Sequence, residues 1–508
     1  MRRSLLGLLA VAAVAFPASA GAAPVLVLGQ HGRATVRNDP FVTGPAVTPA
    51  PASARASASA SASTRSGGIV GEEHPALATA AASPTKRKKP KTPPITVLSE
   101  LARLYRGHAL TPVQYHGDVA SFNGALAAER KLRGTRRTEL AAITETMHQI
   151  AISHQLTASR LPALFATLAA NQQWWTTGPL LSADERVEFA GSQLVWQYYP
   201  GQGIQLQVLG SFGKADGLYT GGPADYPALE QLLSQIIPLA SQRGGGLTWE
   251  YFFTFDGGAP PWTSAMSQAT GLEALTRAYQ ATGDAEYLNL ATRALPVFSV
   301  PPPAGVNVKT ALGTRFLQYT FAPNTAIINA FLQTLIGLYD FAKASGNQTA
   351  AGLFAAGNAE AEAEVPAYNT GAWSLYQPGI EDTLSYHELV TGFLAQLCTR
   401  TAAPVYCTTA QAFQNDLTTP PVLAQLTLRA RTRAGFGLRF RLSKYSHVGV
   451  TITQGSKTVF ATSANFPHGT DSVAIPRIRQ AGTYGVTLAG TDLAGNFARI
   501  TGTLTVSR

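Results

Sequence analysis

Residues 263–298 read TSAMSQATGLEALTRAYQATGDAEYLNLATRALPVF, and this stretch decides the predicted fold class. In its first half, apolar side chains recur at the spacing that places them on one face of a helix: Met266, Ala269, Leu272, Leu275 and Ala278. Gly283 predicts the end of this helix, and Asp284 predicts the cap of a second helix with its own apolar stripe. We therefore predict two helices joined as a hairpin by a short glycine turn.

The same arrangement recurs on both sides of this hairpin. Downstream, residues 324–341 are apolar nearly all round, and Ser345-Gly346-Asn347 separates them from a second helical pattern over 349–364. Upstream, residues 97–105, 139–152 and 158–171 also show helical spacing. Long helices that are buried on most sides and paired by short turns predict a mainly α fold, an incomplete α/α toroid or barrel over residues 95–420. An irregular helical bundle is the alternative.

The stretches between the predicted helices are rich in aromatic and amide side chains. Residues 247–255, LTWEYFFTF, predict a strand at the mouth of the helical body. Residues 198–205, 260–268, 315–324 and 368–388 combine aromatic rings with amides and a few charges. Sugar rings present apolar faces to aromatic side chains and hydroxyl edges to hydrogen-bonding groups, so this combination favours a polysaccharide cleft. For any single aromatic residue, packing in the core is the alternative.

The first 94 residues are predicted to lie outside any folded domain. Residues 1–20 have the basic start, the apolar run and the small residues of a secretory signal peptide cleaved near Ala20. We therefore predict a secreted protein of a bacterial cell envelope, with no transmembrane segment in the mature chain; an uncleaved anchor is the alternative. Residues 21–94 are Ala/Ser/Pro-rich over 45–64 and basic over 86–91, and they are predicted to form a disordered tether.

The net charge of +10 is distributed unevenly along the chain. Residues 1–181 carry 19 Lys and Arg against 8 Asp and Glu, residues 182–420 carry 9 against 19, and residues 421–508 carry 11 against 2. Nucleic-acid binding requires basic residues clustered on a folded surface, whereas the predicted helical body is acidic. We therefore predict no nucleic-acid partner.

The two cysteines lie nine positions apart, at Cys398 and Cys407. Export permits a disulfide, so we predict that they pair and close a short loop after a helix; two buried thiols are the alternative. The chain has no CxxC pair, and its histidines lack metal-ligand spacing. We therefore predict neither a metal site nor a thioredoxin-like motif.

Residues 421–508 change to a β pattern. Alternating and β-branched segments at 448–452, 457–460, 473–475 and 484–488 are separated by Gly, Asn and Asp turns, which predicts an Ig-like β-sandwich. Five arginines stand at alternate positions and predict a basic stripe on one sheet face: Arg429, Arg431, Arg433, Arg439 and Arg441. This stripe is a candidate site for an anionic polymer or the cell envelope; a solvated face is the alternative.

Five motifs in the helical region resemble the C-terminal domain of D-glucuronyl C5-epimerases, which act on heparosan-type chains. The similarity extends roughly over residues 195–395. It rests on the order and spacing of WTSAMSQ at 262–268, Tyr319 with Pro323-Asn324, LIGLYD at 335–340, YNTG at 368–371 with Tyr376, and Tyr386-His387. The resemblance implies a carbohydrate epimerase that inverts C5 of a uronic acid residue in an anionic polysaccharide.

The resemblance also implies which residues carry this chemistry. C5 inversion removes the proton alpha to the carboxylate on one face and returns a proton on the other, and in principle it requires no cofactor. Tyr319, Tyr376 and Tyr386 are the implied proton-transfer residues. Arg315 is a candidate to activate Tyr319 or to bind the substrate carboxylate. The other candidate substrate-binding residues are Gln202, Trp262, Gln268, Gln318, Asn324 and His387.

Gln318 departs from the family pattern, because animal-type members carry a glutamate immediately before the tyrosine that matches Tyr319. An amide cannot take a proton. Two further functions therefore remain open: a non-catalytic glycan- or cell-wall-binding protein on the same scaffold, and a polysaccharide lyase, which begins with the same proton abstraction.

Overall fold

The computed structural model describes residues 23–29, 32–41 and 95–508. The predicted signal peptide, the basic run at 86–91 and most of the predicted tether lie outside these residues. Among the described residues, no helix is both long and apolar enough to cross a membrane.

Helices dominate the part of the chain before residue 417. The described residues include α1 (Val97–Arg106), α2 (Pro112–Lys131), α3 (Gly134–Ile152), α4 (Leu161–Thr177), α5 (Val208–Gly221), α6 (Tyr226–Ile236), α7 (Ala265–Thr282), α8 (Glu286–Ala294), α9 (Ile328–Ser345), α10 (Gln348–Glu364), α11 (Leu384–Thr401) and α12 (Pro404–Asp416).

The helices of residues 208–416 form two rows. In the inner row, α5, α7, α9 and α11 each pack against the next. Each inner helix is followed in the chain by an outer helix, α6, α8, α10 or α12, that packs against it. The fold of this region is therefore mainly α, as the sequence predicts. The serial pairing is what an incomplete toroid requires, and the toroid itself stays a prediction.

The hairpin at 263–298 forms as its sequence predicts. Ser264 caps α7 by accepting a hydrogen bond from the backbone of Ser267, and the helix ends at Gly283, whose φ of 76° is left-handed. Asp284 accepts a hydrogen bond from the backbone of Glu286 at 2.9 Å, where α8 begins. The next hairpin differs from the prediction at its start. Helix α9 begins at Ile328, so residues 324–327, which the sequence predicts to be helical, lie before the helix.

Short strands fill the connections between the helices. They are β6 (Ser241–Arg243) with β7 (Gly246–Thr248), β8 (Asn307–Lys309) with β9 (Thr314–Phe316), and β10 (Leu375–Gln377) with β11 (Ile380–Glu381). The strand predicted over 247–255 continues past Thr248 only as isolated bridges, from Tyr251 to Trp262 and from Phe255 to Gly258. Pro260 and Pro261 lie on the facing segment and have no N–H to donate, so a longer ladder cannot form there.

The N-terminal part of the predicted tether is folded, which corrects the prediction for residues 23–39. Strands β1 (Ala23–Leu28) and β2 (Ala34–Asp39) join β3 (Arg186–Phe189), β4 (Trp196–Tyr199) and β5 (Gly203–Leu206) in a sheet of order β2-β1-β3-β4-β5. Val25 and Leu28 are buried, and the buried Lys214 pairs with both Asp39 and Glu188 at 2.8 Å. The Ala/Ser/Pro-rich composition that signals disorder begins only at residue 45, after these strands.

Residues 421–508 form a separate β-module, named here the C-terminal module. Its strands are β12 (Leu423–Gln425), β13 (Arg429–Arg431), β14 (Phe436–Leu442), β15 (Ser446–Gln454), β16 (Lys457–Phe466), β17 (Gly469–Ile475), β18 (Gly482–Asp492) and β19 (Phe497–Ser507). A three-stranded sheet, β12-β14-β17, and a five-stranded sheet, β13-β19-β18-β15-β16, share one apolar core. The all-β character is as predicted, and the Ig-like assignment stays a prediction.

A disulfide joins the last two helices of the body. Cys398 on α11 and Cys407 on α12, the pair that the sequence predicts, are bonded, with their Cα atoms 4.8 Å apart. The bridge closes the turn between the two helices immediately before the C-terminal module.

Helices α7 and α9 approach each other closely at Gly337. A Cβ atom at this position would overlap the carbonyl oxygen of Ala269. Because the obstacle is backbone, no side-chain rotation can relieve the overlap. The close approach holds the N-terminal ends of α7 and α9 next to each other, where the candidate site lies.

Gly337→Ala is expected to lower the free energy of unfolding by about 2 kcal/mol, because the two helices must separate to admit the methyl group. Gly352→Ala is the matched control, since Gly352 also lies within a helix but has nothing within 4 Å of a built Cβ. The control should be neutral or stabilising by up to about 1 kcal/mol. Denaturant unfolding measures both variants, and equal stability of the two would contradict the packing argument.

Candidate active site

Three chain segments meet at the N-terminal ends of the inner helices. The segment before α7 pairs with the segment before α9, because Ala265 N–H donates to Leu317 O at 2.9 Å and Thr320 N–H donates to Thr263 O at 3.1 Å. The hairpin β10–β11 and the first turn of α11 supply the third segment. Tyr319, Tyr376 and Tyr386 lie one on each of three adjoining elements: the loop before α9, strand β10 and helix α11.

The structure brings these three predicted tyrosines together. The hydroxyls of Tyr319 and Tyr376 hydrogen-bond to each other, and the rings of Tyr376 and Tyr386 are 5.1 Å apart in a T-shaped contact. Tyr319 is 5% exposed and Tyr376 is 4% exposed, whereas Tyr386 is half-buried. Tyr386 is therefore the member of the cluster most accessible from solvent.

The environment of the two buried tyrosines favours their protonated form. Burial raises the pKa of Tyr319, and the neighbouring Tyr386 and Asp256 raise it further, while hydrogen bonds from Gln318 and Tyr376 oppose the shift. Burial also raises the pKa of Tyr376, with contributions from the two other tyrosines and from Asp382. Both hydroxyls therefore carry their protons at neutral pH in the protein without substrate.

Three aromatic rings pack around Tyr319. Phe321 stacks on it at 5.1 Å, and the rings of Phe255 and Trp262 lie at 5.6 and 5.7 Å. Trp262 is almost fully buried, and its indole N–H donates to Phe253 O at 2.8 Å. The predicted contact of Trp262 with substrate is therefore wrong for this structure: the ring supports Tyr319 from below.

Gln268 also belongs to the framework of the site and not to its surface. It is fully buried on α7. Its amide donates to Trp249 O at 2.8 Å, and its carbonyl oxygen accepts from Trp249 N–H at 3.1 Å. Because these bonds satisfy the side chain by pairing it with the backbone, the prediction that Gln268 binds substrate is wrong.

Arg315 does not reach the tyrosines, contrary to prediction. Side chains alternate along β9, so Arg315 points away from the buried side of Phe316 and toward α10. There its guanidinium binds the Glu364 carboxylate, with Nε at 2.9 Å from one oxygen. Burial raises the pKa of Glu364 to about 7 despite this pairing. The cation expected to activate Tyr319 is therefore committed to an ion pair elsewhere.

The remaining candidate side chains, those of Gln318, Gln202 and Asn324, differ in how deeply they are buried. Gln318 is buried beside Tyr319 and accepts a hydrogen bond from the Ser264 hydroxyl at 3.3 Å, and its predicted contact with substrate stays a prediction. Gln202 is half-buried and accepts from Thr254 N–H at 3.3 Å. Asn324 is exposed in the turn before α9.

Asp256 is a residue of the site that the sequence alone does not indicate. It is exposed, has a left-handed φ of 44°, and its charge acts on the Tyr319 hydroxyl. Asp256-Gly257-Gly258 is a turn signal, but nothing in the sequence places that turn against Tyr319. Besides the tyrosines, the titratable groups that act on the two buried hydroxyls are the acidic residues Asp256 and Asp382.

Comparison with known families finds a match over the segment that contains the three tyrosines. Residues 243–415 match the family described as D-glucuronyl C5-epimerase C-terminus. We call residues 243–415 the epimerase-family segment, after the family that they match. The epimerase-family segment thus contains the three tyrosines, Gln318 and the disulfide.

Two curated relatives match this chain over short stretches. D-glucuronyl C5-epimerase of Caenorhabditis elegans is 32% identical over 130 residues, which is 23% of this chain and 21% of that protein. An uncharacterised protein of Methanocaldococcus jannaschii is 31% identical over 137 residues, which is 26% of this chain and 44% of that protein. The chain therefore spans less than half the length of the curated relatives it matches.

Solved structures give only distant likenesses. A sugar epimerase from a ruminal bacterium has a TM-score of 0.31 at 15% identity, covering 41% of this chain and 58% of that one. Cellobiose 2-epimerase from Spirochaeta thermophila has a TM-score of 0.33 at 13% identity, covering 56% of this chain and 73% of that one. Scores this low do not establish a common fold.

A buried hydrogen-bond chain lies beneath the tyrosines of the epimerase-family segment. His387 is 0% exposed, and its Nε2–H donates to Phe413 O at 2.9 Å. Its Nδ1 accordingly accepts from the Ser374 backbone N–H at 3.2 Å and lies 2.7 Å from the Ser374 hydroxyl. The prediction that His387 binds substrate is therefore wrong, because both ring nitrogens are used inside the protein.

Asp382 lies at the other end of this chain. The Ser374 hydroxyl donates to the Asp382 carboxyl at 2.5 Å. This bond favours the ionised carboxyl, but burial of the group outweighs it. Burial raises the pKa of Asp382 to about 7 and lowers the pKa of His387 to about 4, so a protonated Asp382 and a neutral His387 coexist below neutral pH.

Asp382→Asn is expected to flatten the pH dependence of stability between pH 5 and 8. The folded state holds the Asp382 proton up to about pH 7, whereas the unfolded chain releases it near pH 4. Wild-type stability should therefore fall as pH rises through this interval, and the neutral amide should remove about 2 kcal/mol of that fall.

Asp284→Asn, at an exposed cap, is the control and should keep the wild-type slope. Urea unfolding at pH 5 and pH 8 measures the effect. A slope in Asp382→Asn that matches the control would contradict the assigned proton.

Proposed function

We propose that the epimerase-family segment inverts C5 of a uronic acid residue within a polysaccharide, in a secreted protein. The observation that carries this proposal is the hydrogen-bonded pair Tyr319–Tyr376 with Tyr386 packed against it. C5 inversion requires proton-transfer groups that reach both faces of one sugar ring. Three tyrosines from three different chain segments are suited to surround such a ring.

The proton balance of the reaction requires a proton to pass between two tyrosines. One tyrosine first loses its proton to solvent and then takes the C5 proton as a phenolate, and a second tyrosine hydroxyl returns a proton to the opposite face. The first residue is then protonated and the second ionised, so a proton must pass between them before the next turnover. The bond between the Tyr319 and Tyr376 hydroxyls provides a path for that transfer.

The raised pKa values suit the removal of a proton from carbon. Because burial raises the pKa of Tyr319 and Tyr376, each phenolate is a stronger base than a tyrosinate in water. Asp256 brings negative charge and no cation faces the two hydroxyls among the described groups that act on them, so we propose that hydrogen-bond donors hold the substrate carboxylate. The Gln318 amide, which already donates to Tyr319, is one such donor.

Incubation with a panel of uronate polymers, heparosan among them, in deuterated water tests the proposal. Deuterium at C5 without chain cleavage supports the epimerase. A new ultraviolet absorbance from an unsaturated uronate indicates a lyase instead. Binding without exchange indicates the non-catalytic glycan-binding protein, for which Gln318 in place of the family's glutamate is the supporting observation.

Tyr319→Phe and Tyr386→Phe are each expected to lower the rate of C5 exchange by at least about a hundredfold, because each removes a proton-transfer group. Tyr226→Phe is the control, since Tyr226 lies on α6 and stacks on Tyr219. The control should exchange at the wild-type rate. Full activity in both site variants would show that the tyrosine cluster is not the catalytic centre.

We further propose that the C-terminal module holds the anionic polymer or the cell envelope. Eleven of its residues are Lys or Arg and two are acidic, and one of the acids, Asp492, pairs with the buried Lys444 at 2.7 Å. Arg439 and Arg441 are exposed on β14. Residues 426–427 hydrogen-bond to Arg439 and continue into β13, which carries the exposed Arg429 and Arg431. Because β13 and β14 belong to different sheets, the prediction that these arginines share one sheet face is wrong.

The double substitution of Arg439 and Arg441 by Gln is expected to weaken binding to immobilised heparosan about thirtyfold at low salt, at about 1 kcal/mol per cation. Lys457→Gln removes a charge from the distant turn that begins β16 and should change binding much less. Salt elution profiles measure the difference. Equal losses in both would indicate a diffuse charge effect and not a binding stripe.

A further inference from the structure

We propose that the C-terminal module fixes the hairpin that carries Tyr376, with Glu381 as the positioning residue. This inference rests on the proposed function of the tyrosine site. The module is then a structural part of the catalytic centre as well as an appended binding domain. The argument starts from the contacts of Glu381 and follows them to Tyr376.

The Glu381 carboxylate joins β11 to the C-terminal module. One oxygen accepts from the backbone N–H of Tyr445 at 3.0 Å, and the other accepts from the backbone N–H of His468 at 2.6 Å. Residue 445 lies between β14 and β15, and residue 468 lies between β16 and β17. A carboxylate that receives two backbone N–H groups makes charge-assisted bonds of defined direction, so β11 is held against both loops.

Lys444 makes the contact between body and module rigid. Its side chain is 1% exposed, and its ammonium donates to Asp416 O at 2.8 Å and to Thr419 O, and pairs with Asp492. A buried ammonium is costly unless its protons are all used. The group therefore ties the end of α12, the connecting residues and β18 into one arrangement.

Lys444 also contacts the buried chain beneath the tyrosines. Its ammonium lies 5.2 Å from the centre of the Trp373 ring, which stacks on His387 at 3.7 Å. The Trp373 indole N–H donates to Asp382 O at 2.9 Å, next to Glu381. Both ends of the hairpin segment 373–382 are thus attached to groups that the module holds.

The register of the hairpin transmits this attachment to Tyr376. Glu381 pairs across the hairpin with Leu375, the neighbour of Tyr376. A shift of β11 relative to the module therefore moves β10 and changes the position of the Tyr376 hydroxyl. A displacement of about 1 Å at a proton-transfer group is enough to cost on the order of a hundredfold in rate.

Hydrogen exchange of the full-length protein tests the attachment without reference to catalysis. In Glu381→Ala, the amides of residues 373–382 are expected to exchange at least about tenfold faster than in wild type. In Glu381→Gln, which keeps one acceptor oxygen, the amide exchange rate should lie between those of wild type and Glu381→Ala. Glu381→Gln replaces the alanine variant if that variant does not fold. Glu230→Ala, at an exposed site on α6, should match wild type. Unchanged exchange in both Glu381 variants would overturn the inference.

C5 exchange kinetics test the consequence for the site. Glu381→Ala should lower kcat roughly tenfold or more with KM changed less than about twofold, and Glu381→Gln should recover part of the loss. Faster amide exchange with an unchanged kcat would overturn the positioning role. If wild type shows no C5 exchange on any polymer, the proposed function fails, and the amide exchange alone then decides whether the module fixes the hairpin.

Discussion

The architecture of the candidate site depends on the need to satisfy polar groups that are buried with it. Tyr319 and Tyr376 lie almost out of contact with water, so each hydroxyl needs a hydrogen-bond partner inside the protein. They meet this need through each other and through Gln318. Because the partners come from separate segments, satisfying them requires that the loops before α7 and α9 and the hairpin before α11 converge at one place.

The sequence predicts the convergence of these segments but not how the polar side chains around them are used. Helical spacing identifies the buried stripes of α7 and α9, and family motifs identify the three tyrosines. Neither indicates the partner of a given polar side chain, since that depends on contacts between residues far apart in the chain. Arg315 meets Glu364, His387 meets Phe413 O, and Gln268 meets the backbone of Trp249. Each of these pairings replaces a predicted contact with substrate.

Charge is separated between the two parts of the protein. The acidic residues Asp256 and Asp382 act on a site proposed to bind an anionic sugar, while exposed cations of the C-terminal module lie on β13 and β14. In this proposed arrangement, the C-terminal module attracts the polymer and the tyrosine site carries out the chemistry. The buried ammonium of Lys444 joins the two parts by donating to Asp416 O at the end of α12.

The sheet that contains β1 has a consequence for the order in which the chain assembles. Leu26 pairs with Val187, and β1 lies between β2 and β3. During synthesis from the N-terminus, the apolar residues of β1 emerge long before their partner strand, and the β1–β2 hairpin has an unpaired edge until β3 follows. A chain that is kept unfolded until synthesis is complete does not expose this unpaired edge. If the chain instead folded during synthesis, the β1–β2 hairpin would expose an unpaired strand edge. A strand of another chain could then pair with that edge before β3 is made.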